Sequence, residues 1–145
     1  MSPEGLVLIG VLGFAHIRDH WSIDSIGGLT LGADPISFAI SYASAQSSTP
    51  LRAFTVRKET KTHGTGKLIE GPFQPGDRTA IIEDVITTGS SALKAVTAVK
   101  SAGGSVVGVL ALVDREEGGR EAIEAAGVSV ISIVTARELL PLLTP

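Results

Sequence analysis

The sequence predicts an α/β fold in which residues 1–145 form one domain with a doubly wound parallel sheet. Short apolar, β-branched runs alternate with segments of helical periodicity, and glycine or polar clusters separate most of them. A hydrophobic content of 43% and 17 glycines suits a tightly turned α/β domain better than a disordered chain. The predicted strands are residues 22–26, 53–56, 79–84, 106–113 and 128–134.

The helices are predicted from their caps and their apolar spacing. The first covers residues 3–20, with Ser2 as the N-cap and Glu4 in the first turn, where a negative charge meets the positive end of the helix dipole. Further helices are predicted after Gly32, from residue 91 to the glycines at 103–104, before Gly127 and from Arg137.

Composition excludes several classes of protein. A net charge of −3, from 12 basic and 15 acidic side chains, does not favour nucleic acid or an anionic membrane as a partner. The absence of cysteine excludes disulfides and cysteine-ligated metal. The longest apolar stretch, residues 6–17, is interrupted by glycines and His16, is too short to span a bilayer and has no basic flank before it. We therefore expect a soluble, cytoplasmic protein.

A turn rich in hydroxyl groups follows the predicted strand at residues 79–84. Unpaired N–H groups at the start of the next helix point outward, and the helix dipole favours negative charge there. Glycine allows the backbone to approach an anion closely, and the hydroxyls can donate hydrogen bonds to it. The residues of this predicted phosphate site are Thr87, Thr88, Gly89, Ser90 and Ser91.

Two adjacent carboxylates, Glu83 and Asp84, lie just before the phosphate site. They would repel phosphate, so they suit neutral hydroxyls, a bound cation, or a carbon that becomes positive in a transition state. A sugar phosphate satisfies both halves of the stretch. The alternative is an ordinary strand-to-helix turn with a Ser/Thr cap and a chance acidic pair.

Two other segments carry candidate ligand-binding residues. Residues 27–32 join a predicted strand to a helix through glycines, including Gly27 and Gly28, where backbone can approach an anion, although Ala33 and Asp34 exclude a Walker P-loop. Residues 57–67 form a predicted surface loop with four potential cations, and an arginine follows the strand at 106–113. Each could instead be an ordinary solvated turn. The cationic residues are Arg57, Lys58, Lys61, His63 and Arg115.

Residues 79–91 resemble the 5-phosphoribosyl 1-diphosphate (PRPP) motif of the type I phosphoribosyltransferases. The loop at 57–67, closed by residues 69–71, is similar to the catalytic loop of the orotate phosphoribosyltransferases within that family. The resemblance covers residues 4–140, with motifs that agree in type, order and spacing. It implies transfer of 5-phosphoribosyl from Mg-PRPP to orotate, which gives orotidine 5′-monophosphate and diphosphate.

The resemblance also implies roles for the candidate residues. Lys61 and His63 would stabilise or protonate the leaving diphosphate, assisted by Arg57 and Lys58, and Arg115 would contact orotate. The loop containing Gly27 and Gly28 would touch the diphosphate, although Leu31 stands where some relatives have a lysine. Glu83 and Asp84 would bind the ribose hydroxyls. The implied metal is Mg²⁺, carried mainly by PRPP with few direct protein ligands. The implied assembly is a homodimer in which the 57–67 loop is shared across subunits.

One departure from the family pattern leaves alternatives open. Orotate phosphoribosyltransferases usually carry a further N-terminal segment that forms part of a hood over the base, and this sequence starts where that segment would end. We expect either that the gene product begins upstream or that this is a shortened relative with an open base site. A PRPP-binding or nucleotide-binding regulatory module, or a phosphoribosyltransferase for another base, are the alternative functions.

Overall fold

The computed structural model describes residues 1–60, 63 and 66–143. Within these residues, one six-stranded sheet has the order β3-β2-β1-β4-β5-β6. The elements are α1 (Pro3–His20), β1 (Ser25–Leu29), α2 (Ala33–Ser44), β2 (Arg52–Val56), β3 (Ile69–Glu70), β4 (Arg78–Ile86), α3 (Ser90–Ser101), β5 (Ser105–Asp114), α4 (Gly119–Ala125), β6 (Ser129–Thr135) and α5 (Ala136–Leu143).

The sheet is doubly wound, as the sequence predicted. β1 pairs in parallel with β2 on one side and β4 on the other, and β5 and β6 continue in parallel. The two-residue strand β3 pairs antiparallel with β2 at the edge and was not predicted. Successive strands are added on one side of β1 up to β3 and on the other side from β4 onward, so the strand order switches between β1 and β4. Ligands of such sheets bind beyond the carboxyl ends of the strands at this switch point.

Hydrophobic residues fill both faces of the sheet because adjacent strand residues point to opposite sides. Ile81 packs in a cluster with side chains of α3 and α4, whereas Ile82 packs in a second cluster with side chains of α1 and α2. The central strands are therefore buried on both faces, which explains their nearly continuous apolar sequence.

The first helix has the predicted start. Ser2 Oγ accepts a hydrogen bond from the Gly5 N–H at 3.1 Å, so the predicted N-cap is confirmed. At the other end, the Trp21 ring lies against Gly108 of β5 so closely that a Cβ atom on Gly108 would overlap it. Gly108 is therefore the residue that allows the end of α1 to dock on the sheet.

Two of the predicted strands, β1 and β4, have a boundary that differs from the prediction by two residues or more. β1 runs from Ser25 to Leu29, three residues later than predicted, so Gly27 and Gly28 lie inside a buried strand and not in the following loop. A Cβ on Gly27 would overlap the Phe54 carbonyl oxygen, and one on Gly28 would overlap the Ile82 carbonyl oxygen. These glycines permit close packing in the sheet. β4 also extends two residues past the predicted end.

Within the described residues, none of the helices has both the length and the hydropathy needed to cross a bilayer.

Candidate active site

Two loops meet at the carboxyl ends of β1 and β4. The first is residues 30–32, which leads from β1 into α2 and contains a cis peptide bond between Thr30 and Leu31. The second is the end of β4 and the turn before α3. A Cβ atom on Gly32 would lie 2.6 Å from Asp84 Oδ2, so only glycine leaves room for the carboxylate at this point. The two loops therefore lie directly against each other, and residues 30–32 and 83–91 together are called the crevice.

The acidic pair has one buried and one exposed member. Glu83 is 8% exposed, while Asp84 is exposed and its Oδ1 accepts a hydrogen bond from the Val85 N–H at 2.8 Å. Burial raises the pKa of Glu83 from 4.5 to about 7, and the hydrogen bond and the negative charge of Asp84 act in the same direction. Near neutral pH, Glu83 is therefore divided between its protonated and ionised forms.

The predicted phosphate turn has the backbone geometry that anion binding requires. Gly89 has a φ of 82° and is the N-cap of α3, but it provides no side chain to cap the helix. Thr88 Oγ1 accepts a hydrogen bond from the Ser90 N–H at 3.4 Å, and the hydroxyls of Thr88, Ser90 and Ser91 are on exposed residues. Thr87 is half-buried. This arrangement suits a phosphate at the start of α3.

A contact with α4 supports the phosphate turn and was not predicted. A Cβ on Gly89 would lie 2.7 Å from the Gly119 carbonyl oxygen, and a Cβ on Gly119 would lie 2.8 Å from the Gly89 nitrogen. The turn after β5 is therefore packed directly against the turn after β4. Neither glycine can carry a side chain without moving the other.

Asp34 joins the first loop to β2, a role that was not predicted from the sequence. Its Oδ2 accepts a hydrogen bond from Thr30 Oγ1 at 2.7 Å, and its Oδ1 accepts one from Thr55 Oγ1 at 2.9 Å. Both carboxylate oxygens are thus used to fix the loop relative to the neighbouring strand. The sequence did contain a sign of a structural role for Asp34, because it is an acidic residue in the first turn of a helix whose N-cap, Gly32, has no side chain.

Arg57 and Lys58 lie next to the first loop. Arg57 Nη1 pairs with Glu70 Oε1 at 3.0 Å, and the Arg57 N–H donates to the Leu68 carbonyl oxygen at 2.8 Å, which holds the two ends of the 57–67 loop together. Lys58 is exposed. A cavity of about 450 Å³ is lined by Thr30, Thr55, Arg57, Lys58, Glu59 and Glu70. Two of the predicted cations therefore line a cavity that includes a residue of the crevice.

For the remaining predicted residues, the described part of the chain gives no side-chain hydrogen bond or ion pair with residues 30–32 or with the acidic pair. Lys61 lies outside the described residues, and His63 is exposed. Arg115 follows β5 at the same edge of the sheet, where its N–H donates to the Ile86 carbonyl oxygen at 3.0 Å and its guanidinium pairs with Glu117 at 2.6 Å. Gly27 and Gly28 lie within β1 and not in the loop that follows it. The backbone that reaches the crevice from this side is therefore residues 30–32.

The chain is similar in sequence to known orotate phosphoribosyltransferases. No family model matches the chain. It is 52% identical over 138 residues to an orotate phosphoribosyltransferase of Aquifex aeolicus, a match that covers 95% of this chain and 75% of the relative. An orotate phosphoribosyltransferase of Sorangium cellulosum is 48% identical over 143 residues, covering 97% of this chain and 74% of the relative.

The solved structures agree with these relatives. The Mycobacterium tuberculosis orotate phosphoribosyltransferase in complex with PRPP superimposes with a TM-score of 0.84 at 43% identity, covering 95% of this chain and 77% of that one. The six-stranded, mostly parallel sheet agrees with the α/β fold that the resemblance implied. Given the extent of identity over most of both chains, this chain belongs to the orotate phosphoribosyltransferase family.

Proposed function

We propose that the crevice between residues 30–32 and 83–91 transfers 5-phosphoribosyl from PRPP to orotate, giving orotidine 5′-monophosphate and diphosphate. One observation carries the proposal: an acidic pair lies between a second backbone loop and a helix start whose free N–H groups and hydroxyls suit a phosphate. Membership of the orotate phosphoribosyltransferase family supports the acceptor base, and the PRPP complex of the Mycobacterium tuberculosis relative supports the donor.

The phosphate turn would hold the 5-phosphate of PRPP. The first N–H groups of α3 and the exposed hydroxyls at Thr88, Ser90 and Ser91 provide several donors to a dianion. Thr87 and Gly89 complete the turn, Gly89 by its left-handed backbone. No basic side chain lies in residues 87–91, so backbone and hydroxyl donors carry this role.

Asp84 and Glu83 would accept hydrogen bonds from the ribose hydroxyls. Asp84 presents an exposed carboxylate against Gly32, and Glu83 lies beside it in a nearly buried position. When the bond between C1 and the diphosphate breaks, positive charge grows on the ribose ring. Carboxylates fixed nearby stabilise that charge more strongly than water does.

Cations would stabilise the diphosphate as it leaves. Arg57 and Lys58 line the cavity beside Thr30, and their charges oppose those that develop on the leaving group. Lys61 and His63, which belong to the same loop, would complete the set, with His63 able to donate a proton. Gly27 and Gly28 contribute indirectly, because they position the strand that leads to residues 30–32.

The donor groups in the crevice are compatible with Mg²⁺ carried by PRPP. Among the described residues there is no group of three or more His, Cys, Asp or Glu side chains that could hold a metal ion by themselves. Mg²⁺ commonly uses one or two carboxylates together with substrate phosphates and water. The exposed Asp84 carboxylate fits that need, and the ion would neutralise part of the diphosphate charge.

Arg115 would bind the acceptor. Its planar guanidinium matches a carboxylate or a pair of carbonyl oxygens, both of which orotate has. In this structure the guanidinium is paired with Glu117, and about half of the Arg115 side chain is exposed. Because such an exposed pair contributes little free energy, Arg115 can exchange Glu117 for the acceptor at small cost.

A second copy of the chain would complete the enzyme as a homodimer, with the 57–67 loop shared across subunits. An apolar groove of about 570 Å³ lies between α1 and α2, and Val11 and Tyr42 on its rim are 57% and 86% exposed. Leu31, in the first loop of the crevice, is 78% exposed near the start of α2. Exposed apolar side chains thus occur both at this groove and in the first loop of the crevice, which favours a partner that also contributes to the site. We further propose a cytoplasmic location.

The test of the proposed reaction is the loss of orotate absorbance on addition of PRPP and Mg²⁺, with uracil and purine bases in parallel. Asp84→Asn and Lys61→Ala should each lower turnover by about two orders of magnitude or more. Lys100→Ala removes an exposed lysine in the last turn of α3, at the opposite end of that helix from the phosphate turn, and is the control that should leave turnover unchanged. PRPP binding without conversion of any base would instead support a regulatory module.

The shared loop is tested by mixing two inactive variants. A mixed dimer of Asp84→Asn and Lys61→Ala has one site with both defects and one site with neither, if the loop acts on the partner's crevice. Activity should therefore return on mixing. If each loop serves its own subunit, every site keeps one defect and the mixture stays inactive.

A further inference from the structure

A largely buried ion pair lies beneath the turn that carries Arg115. Asp114, the last residue of β5, accepts a hydrogen bond on Oδ2 from Arg120 Nε at 2.7 Å. The Asp114 side chain is 3% exposed and that of Arg120 is 29% exposed. A pair so well shielded from water is held in a fixed geometry, unlike the exposed pair of Arg115 with Glu117.

Arg120 also joins the last strand to this pair. Its Nη1 donates to the Val130 carbonyl oxygen at 2.8 Å, and its Nη2 donates to Ser132 Oγ at 3.0 Å. The guanidinium therefore uses three different nitrogens on three acceptors in β5 and β6. A lysine at this position could keep the charge but not this fork of donors.

The other oxygen of Asp114 holds the Arg115 backbone. Oδ1 accepts a hydrogen bond from the Glu116 N–H at 2.9 Å, which closes a turn across Arg115. The Arg115 N–H is fixed from the opposite side by its bond to the Ile86 carbonyl oxygen. Glu116 itself has a φ of 58°, and its carboxylate accepts a hydrogen bond from the Arg137 N–H at 3.0 Å. The direction in which Arg115 leaves the backbone is thus determined by Asp114 and its partner.

We propose that Arg120 is a positioning residue for acceptor binding, acting through Asp114 on the turn that presents Arg115. The inference rests on the proposed role of Arg115 toward orotate. Arg120 does not itself touch substrate, because its donors are already used beneath the turn. Its loss would let the turn relax, so Arg115 would meet the acceptor less often in the right orientation.

The experiment compares Arg120→Lys with Arg52→Lys by steady-state kinetics. Arg52 forms a similar ion pair with Asp77, in which Nη2 lies 2.6 Å from Oδ1 and the side chains are 32% and 6% exposed. This pair lies at the amino ends of the strands, away from the turn that carries Arg115. Arg120→Lys should raise KM for orotate about tenfold while changing KM for PRPP less than about twofold. Arg52→Lys should lower the melting temperature to a similar extent and leave both KM values unchanged.

A gentler variant keeps the inference testable if Arg120→Lys fails to fold. Ser132→Ala removes one acceptor and leaves the Asp114 pair intact, so KM for orotate should rise about twofold to threefold. An unchanged KM for orotate in the folded Arg120 and Ser132 variants, when Arg115→Ala raises it, would mean that Arg120 serves stability only. If Arg115→Ala also leaves that KM unchanged, the proposed role of Arg115 is wrong and the inference fails with it.

Discussion

Replacing Glu83 with glutamine should stabilise the protein and impair it at the same time. Glu83 is nearly buried, and its pKa is raised from 4.5 to about 7 by burial and then by the hydrogen bond and charge of Asp84. Between these two values, the folded protein binds more protons than the unfolded chain. The free energy of unfolding must therefore fall as pH rises through this range.

The magnitude follows from the difference between the two pKa values. Each pKa unit corresponds to about 1.4 kcal/mol, so the ionised carboxylate costs the folded state about 3 kcal/mol once the pH exceeds 7. At pH 5.5 the cost is only about 1 kcal/mol, because the native group is still mostly protonated. Glu83→Gln removes this pH dependence. We expect the variant to exceed the original protein in stability by about 2 kcal/mol more at pH 8.5 than at pH 5.5.

The assay is urea unfolding at both pH values, with Glu121→Gln as the control. Glu121 is an exposed carboxylate in α4, so its loss removes one negative charge without removing a buried one. The same Glu83→Gln variant should have a lower kcat/KM for PRPP, and in the original protein that ratio should rise with pH through about 7. Equal stability gains at both pH values would refute the reasoning, since they would show that Glu83 ionises at its ordinary pKa.

Three further predictions concern substitutions to alanine that either add a Cβ atom at a tightly packed glycine or remove a helix cap. Gly28→Ala should lower the free energy of unfolding by about 3 kcal/mol, measured in urea, because the new Cβ would overlap the Ile82 carbonyl oxygen and push β1 from β4. Gly119→Ala should raise KM for PRPP about tenfold in steady-state kinetics, because its Cβ would lie 2.8 Å from the Gly89 nitrogen and displace the phosphate turn. Ser2→Ala should cost about 1 kcal/mol in thermal unfolding through loss of the α1 cap, with no effect on turnover.

Structural features that depend only on neighbouring residues could be predicted from the sequence. The cap at Ser2, the turn at Gly89 and the helix that follows depend on short-range backbone geometry, and the structure has all three. The alternation of apolar strands with helices was likewise enough to predict a parallel doubly wound sheet. The antiparallel β3 escaped notice because two residues are too few to show a periodic pattern.

The glycines of β1 show why one boundary was wrong. A pair of glycines between an apolar run and a helix usually marks a turn. Here Gly27 and Gly28 lie within a strand, and glycine is needed because a Cβ atom would overlap the Phe54 carbonyl oxygen at Gly27 and the Ile82 carbonyl oxygen at Gly28. That information resides in β2 and β4, far away in the sequence. Only the assembled sheet reveals it.

Partners distant in sequence could not be identified in advance. Asp34 bridges hydroxyls from two strands, and Arg120 meets Asp114 and Ser132 only because β5 and β6 are paired in one register. A single sequence shows that such charged residues exist but not which of them become neighbours. For the same reason, the cations of the 57–67 loop were predicted as a set, but their individual contacts were not. The ion pair of Arg57 with Glu70, which holds the ends of the loop together, is an example.

The seating of the Trp21 ring on Gly108 gives this molecule a built-in optical reporter. The chain has one tryptophan, so its tryptophan emission comes from a single site where the end of α1 meets β5. Separation of that helix from the sheet must alter the surroundings of the indole, whatever happens in the distant crevice. An unlabelled sample can thus reveal whether α1 detaches before the central strands come apart.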